Sequence, residues 1–166
     1  MRRAPDDSTL LDFGGEFLVV CPRCSGRAWV RDRGVEAEPR IALTCPHCGL
    51  SQFWAAAEPG TQHSVTAADP KRYPPGVVAV GAAVDWYFHL PHWLQTGCCG
   101  ETLWAYNSAH LDFIESYVRA TLREHARSAH GWSNQALANR LPRWMKDAKN
   151  REDILNCIEK LREKLS

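Results

Sequence analysis

The sequence predicts an α+β fold in which short antiparallel strands fill the first two thirds of the chain and helices the last. Three observations carry this. As far as Tyr106, segments rich in β-branched, aromatic and apolar residues alternate with glycine and serine turn signals. From Ser108 the apolar residues change to helical spacing. The 166 residues are 45% hydrophobic and 23% charged, a composition that excludes disordered, collagenous and coiled-coil chains.

Taken in order, residues 1–15 read as a tail. In residues 16–58, strands are expected at Glu16–Val20, Arg27–Arg31, Ile41–Thr44 and Ser51–Ala55, each beside a turn signal such as Gly14-Gly15, Ser25-Gly26 or Cys48-Gly49. Residues 59–77 lack apolar periodicity and read as a connecting loop. Residues 78–107 regain strand character at Val78–Val84, Asp85–Leu90, Trp93–Thr96 and Glu101–Tyr106, a second small antiparallel β unit around the turn Cys98-Cys99-Gly100. Residues 108–166 are helical: about five turns behind Asn107 or Ser108 as N-cap, a break near Gly131, and a short segment from Ser133 to Leu141. Pro142 suits the first turn of a further helix. Asn150 is placed to cap the last helix, where Ile154, Ile158, Leu161 and Leu165 make one apolar stripe, with Cys157 on the same side as core.

Cys21-Pro22-Arg23-Cys24 and Cys45-Pro46-His47-Cys48 are separated by 20 residues, the C-x2-C-x20-C-x2-C spacing of a structural metal site. Two residues between thiols let one tight turn present both sulfurs to one ion, and two such turns complete a tetrahedral shell of Cys21, Cys24, Cys45 and Cys48. Four thiolates leave no position for a substrate water, so the expected Zn2+ is structural, and soft sulfur ligands also admit iron. A thioredoxin-like redox pair would place one motif before a helix, and a disulfide framework needs an oxidising compartment. No apolar run approaches the ~18 residues of a membrane span, and the N-terminal residues lack a signal-peptide pattern, so a cytoplasmic location and no membrane partner are expected. His47 and Arg23 sit at the turn tips and are expected to be exposed.

With CPRC and CPHCG on successive hairpins, the first 58 residues resemble the zinc ribbon of the transcription factor TFIIB and of small bacterial proteins that carry a TFIIB-type ribbon. The resemblance implies a pair of rubredoxin-like knuckles with Cys21, Cys24, Cys45 and Cys48 as ligands. It does not imply promoter binding. LQTGCCGETLWAYNSAHLDFIESYV and NRLPRWMKDAKNREDILNCIEKLREKL also resemble segments of bacterial zinc-ribbon proteins of uncharacterised function.

A tryptophan follows each cysteine turn, at Trp29, Trp54 and Trp104, which suggests an internal repeat with Cys98-Cys99-Gly100 as a third knuckle. Cys98 and Cys99 are then either a second metal site, completed by His89, His92 or His110, or structural thiols. Trp86, Trp93, Trp132 and Trp144 are candidate exposed platforms for bases or for apolar groups of a partner.

Charge is uneven. Residues 1–118 carry 9 basic and 13 acidic side chains, net −4, and residues 119–166 carry 11 and 6, net +5. Arg140, Arg143, Lys146, Lys149 and Arg151 bring five cations against Asp147 alone within twelve residues, with Trp144 among them. Such a segment offers either a solvated helical face or a surface for phosphates.

No nucleophile–base order, P-loop, dinucleotide fingerprint or HExxH motif occurs. The expectation is therefore a non-catalytic, zinc-binding module without a small-molecule substrate, contacting nucleic acid or a nucleoprotein complex through its basic helical tail. The alternative is a protein-interaction adaptor or accessory subunit using exposed tryptophan and the last apolar helix. An enzyme built on Cys98 and Cys99 is the third class.

Overall fold

A computed structural model describes residues 13–56, 64–66, 76–124 and 141–166. Strands β1 (Glu16–Val20), β2 (Arg27–Asp32), β3 (Ile41–Thr44) and β4 (Ser51–Phe53) form an antiparallel meander, in register at Leu18↔Trp29, Val30↔Leu43 and Leu43↔Gln52. The first three strands match the sequence expectation to within a residue. β4 ends two residues early: it is an edge strand, and all three of its residues are exposed.

Phe17, Leu18 and Val19 are all buried, because both faces of β1 are covered. Alternation along the strand sends Leu18 into a core shared with the helices, and Phe17 and Val19 into a second, aromatic core with Trp86 and Tyr106. The outer edge of β1 is closed as well. Leu18 N donates to Tyr106 O (2.8 Å), Val20 N to Pro91 O (2.9 Å), and Trp93 N to Leu18 O (2.9 Å).

Residues 59–107 depart from the expected elements in three places. β6 (Val78–Val80) stops where Gly81 takes φ 89°, a left-handed conformation that turns the chain. It pairs in parallel with β5 (Ser64–Thr66), a strand inside the segment expected to be loop. Asp85–Leu90 is a turn rather than a strand. The buried Asp85 carboxylate accepts from Tyr87 N (2.9 Å), Phe88 N (2.8 Å) and Leu90 N (2.7 Å), consuming the amides that a ladder would need.

β7 (Leu94–Cys98) and β8 (Glu101–Ala105) form the antiparallel hairpin expected around Gly100, with Cys98 opposite Glu101. Cys99 (φ 55°) and Gly100 (φ 78°) alone make the turn, and two positive φ values are what a type I′ hairpin turn requires. Cys98-Cys99-Gly100 is therefore a hairpin turn and not a third metal knuckle.

α1 (Ser108–Glu124) starts at the Asn107 cap, whose Oδ1 accepts from His110 N (2.9 Å). The same side chain donates to Phe13 O (3.1 Å) and Glu16 O (2.7 Å), fixing the helix to the entry of β1. After Pro142 come a single turn, α2 (Arg143–Lys146), a 3-10 turn (Ala148–Asn150) and α3 (Arg151–Glu163). Asn150 does not cap α3 with its side chain. Its Nδ2 donates back to Trp144 O (3.0 Å).

Ile154, Ile158 and Leu161 are fully buried against β7 and α1, and Leu165 packs beside them. This stripe is core, so α3 does not present it to a partner. Arg162 donates to Asp112 (2.7 Å) and Glu115, joining α3 to α1. Of the expected segment Ser133–Leu141 only Leu141 is among the described residues, where it packs against the helical core; the preceding break, Trp132 and Arg140 lie outside them. Among the described residues no helix is long and apolar enough to cross a membrane.

Candidate metal centre

Both cysteine turns grow from strand ends by the same local bonds. Cys21 N donates to Gly26 O (2.8 Å) and Ser25 N to Cys21 O (3.0 Å); in the second turn, Cys45 N donates to Leu50 O (2.9 Å) and Gly49 N to Cys45 O (2.8 Å). Each turn closes through a left-handed residue, Ser25 at φ 62° and Gly49 at φ 77°. Antiparallel pairing of β2 with β3 then sets the two turns side by side, with Cys45 Sγ 3.9 Å from Arg27 O.

Backbone amides point at sulfur: Arg23 N lies 3.4 Å from Cys21 Sγ, and Gly26 N 3.4 Å from Cys24 Sγ. A Cβ at position 26 would come within 3.2 Å of Cys24 Sγ and 3.3 Å of the His47 ring. Any larger residue there would crowd Cys24 Sγ and the His47 ring by a few tenths of an ångström.

The four sulfurs lie within 4.8 Å of one another, with Cys21–Cys48 at 3.7 Å and Cys24–Cys45 at 3.6 Å. A disulfide would need about 2.05 Å. Tetrahedral thiolate ligation at about 2.3 Å from an ion separates sulfurs by roughly 3.8 Å, so this donor set suits zinc or iron. Cys21 and Cys45 are buried beside Val19 and Leu43, whereas Cys24 and Cys48 are half-buried on the outer side. Pro22, Arg23, Pro46 and His47 at the tips are exposed. Neither Cys-x-x-Cys turn opens a helix.

The thiols are electrostatically unequal. Burial opposes charge on Cys21, yet the amides of Cys24 and Arg23 and the neighbouring thiols bring it down to about 6. Cys24 gains from the Gly26 amide, but burial and the three surrounding thiols push it up to about 12. Charge on Cys21 thus opposes charge on Cys24, and a cation is what lets neighbouring thiolates coexist.

The other expected ligands are elsewhere. Cys98 is buried in the helical core, its Sγ 3.8 Å from Asp153 O, and Cys157 Sγ is 3.8 Å from Gly97 O. Burial and the neighbouring Cys157 and Cys99 push the Cys98 thiol far up, keeping it protonated. Cys99 is exposed, with its sulfur 3.9 Å from that of Cys98. His89 Nε2 is 2.8 Å from Val77 O, His92 Nε2 3.3 Å from Ala82 O, and His110 Nδ1 accepts from Tyr106 N (3.1 Å). Among the described residues, the four ribbon cysteines are the only metal-type cluster.

The basic segment is also divided. Arg143 and Lys149 are exposed, whereas Lys146 is half-buried. Arg151 turns inward, and its Nε donates to Val118 O (3.0 Å). Trp144 is half-buried with its flank on the helical core, and Trp86 is buried, its Nε1 donating to Tyr106 Oη (2.9 Å). The sequence offered no signal for this last bond or for the Asp85 turn. Compared with protein-family models, curated proteins and solved structures, the chain matches none.

Proposed function

We propose that the chain is a non-catalytic binding module of the TFIIB-type zinc-ribbon kind, working in a reducing, cytoplasmic compartment, with one structural zinc and a basic surface for nucleic acid or a nucleoprotein complex. The observation that carries this reading is the convergence of four cysteine sulfurs at tetrathiolate spacing. Bound zinc supplies the positive charge that holds four thiolates together. The chain's own part is to aim amides at two of the sulfurs and to bury Cys21 and Cys45 against the aromatic core. A closed shell gives such an ion folding free energy rather than chemistry.

Exposed Arg143 and Lys149, with Trp144 between them in the chain, support the nucleic-acid contact. Binding to DNA or RNA by the metal-loaded chain should weaken linearly in log–log salt titration, with a slope of about 0.9 per phosphate contacted. Immeasurably weak binding at low ionic strength would remove this part of the reading.

One observation favours a protein partner instead. Among the described residues no strand pairs with the outer edge of β4, and Phe53 on it is 54% exposed. Nuclease treatment during pull-down separates the two readings, because only a nucleic-acid bridge is lost.

A further inference from the structure

A cleft of about 400 Å³ opens where Glu101, the first residue of β8, faces Arg143, Trp144, Asp147, Lys149 and Asn150. That volume lies within the roughly 300–1,000 Å³ of small-ligand pockets and suits one nucleotide rather than a helix or a duplex. The wall behind is held in place from within. Trp144 rests on the helical core, its carbonyl accepts from Asn150 Nδ2 (3.0 Å), and Asp147 Oδ1 accepts from Lys149 N (3.2 Å).

The groups facing the cleft are less fully used. Lys149 is 78% exposed and stands 3.6 Å from Asp147. Among the described residues no acceptor pairs with the exposed Arg143 guanidinium and no donor with the exposed Glu101 carboxylate. The cleft thus combines an aromatic wall, two cations, of which Lys149 is paired with Asp147 and Arg143 is not, and opposite them the unpaired Glu101 carboxylate. Phosphate alone would have no use for the ring, and Glu101 would repel it. An aromatic anion that carries hydrogen-bond donors on its ring satisfies all of these groups. Bases of a single strand offer a free face for stacking, which duplex bases do not. A carboxylate accepts from the exocyclic amino group of cytosine, which thymine lacks.

We propose that this cleft holds one unpaired, amino-bearing base of a single-stranded nucleic acid, stacked on Trp144, with flanking phosphates on Arg143 and Lys149 and the amino group donating to Glu101. The proposal rests on the nucleic-acid reading above and narrows it to single strands and to bases with an amino group.

The test is fluorescence anisotropy of the full, metal-loaded chain with labelled oligo(dC), oligo(rC), oligo(dT) and a duplex of equal length. The tighter of the two cytosine strands should exceed both oligo(dT) and the duplex severalfold. Trp144→Ala should weaken it at least about fivefold, and Trp144→Phe less. Should Trp144→Ala fail to fold, two surface variants carry the test. Arg143→Ala should lower the salt slope by about one phosphate, and Glu101→Ala should erase the preference for cytosine over thymine. Duplex binding as tight as single-strand binding, or a cytosine preference untouched by Glu101→Ala, overturns this inference while leaving the broader reading in place. Failure to bind any of the four probes at low salt overturns both and leaves a protein segment as the occupant to seek.

Discussion

The Arg27 guanidinium donates to the Leu165 carbonyl at 3.3 Å, across 138 residues of sequence. Through Arg27 the four-cysteine cluster is tied to the end of α3, since the Arg27 carbonyl faces Cys45 Sγ. Two more bonds reinforce the joint: Trp93 Nε1 to Lys164 O (3.0 Å) and Lys164 Nζ to Gln95 O (2.9 Å). The bonds to Leu165 O and Lys164 O satisfy carbonyls that the end of a helix leaves open.

Arg27→Ala should cost about 1 kcal/mol, the value of one partly exposed charge-assisted bond, read from the urea midpoint. Hydrogen exchange should quicken for the last turn of α3 and stay unchanged at Ile154. Unaltered exchange at the C-terminus would show that the contact ties nothing down.

Acid should weaken the fold through its buried histidines. Burial holds His92 down to about 3 and His110 down to about 4, against about 6.5 in an unfolded chain. Between pH 6.5 and about 4 the unfolded chain binds protons that the folded chain refuses. Stability therefore falls with falling pH, by up to about 1.4 kcal/mol per pH unit for each histidine, and is flat in this respect above pH 7. His92→Phe, measured beside the native chain so that metal release at low pH is common to both, should show a shallower slope. Equal slopes would contradict the assignment.

Asp85→Ala should cost at least about 2 kcal/mol, because three backbone donors lose their acceptor. Asp85→Asn, which keeps one acceptor oxygen, should fall between the two. Thermal melts of both variants decide this, and a neutral Asp85→Ala would mean that the turn is held by packing alone.

Cys99→Asn should leave metal content unchanged and raise stability by about 0.5–1 kcal/mol, since asparagine tolerates the positive φ of a type I′ turn better than cysteine. Cys98→Ala should also leave metal content unchanged. A fall in bound metal in either variant would restore these thiols as ligands.

What was readable in the sequence was local. A knuckle is a device of a few residues whose Cys-x-x-Cys spacing and following turn residue dictate its shape, so the four converging cysteines and the strands β1, β2 and β3 could be placed from the letters alone. The pairing of Ser64–Thr66 with Val78–Val80 is non-local and left no periodic trace. Trp86, Tyr87 and Phe88 have strand composition, but they pack into the aromatic core with Phe17, while Asp85 takes over the backbone amides of Tyr87 and Phe88. Cys98-Cys99-Gly100 has knuckle letters but hairpin geometry, set by the pairing of β7 with β8. The basic run appeared continuous because sequence could not show that Arg151 turns inward to Val118.

The central claim is that Cys21, Cys24, Cys45 and Cys48 jointly hold one structural ion, and elemental analysis of the purified chain beside its Cys24→Ser/Cys48→Ser variant tests it most directly. The expected result is about one zinc or iron per native chain and none in the variant, whose ribbon unfolds. A native chain that folds with the same thermal stability free of metal, or a variant that keeps a full complement, would contradict it.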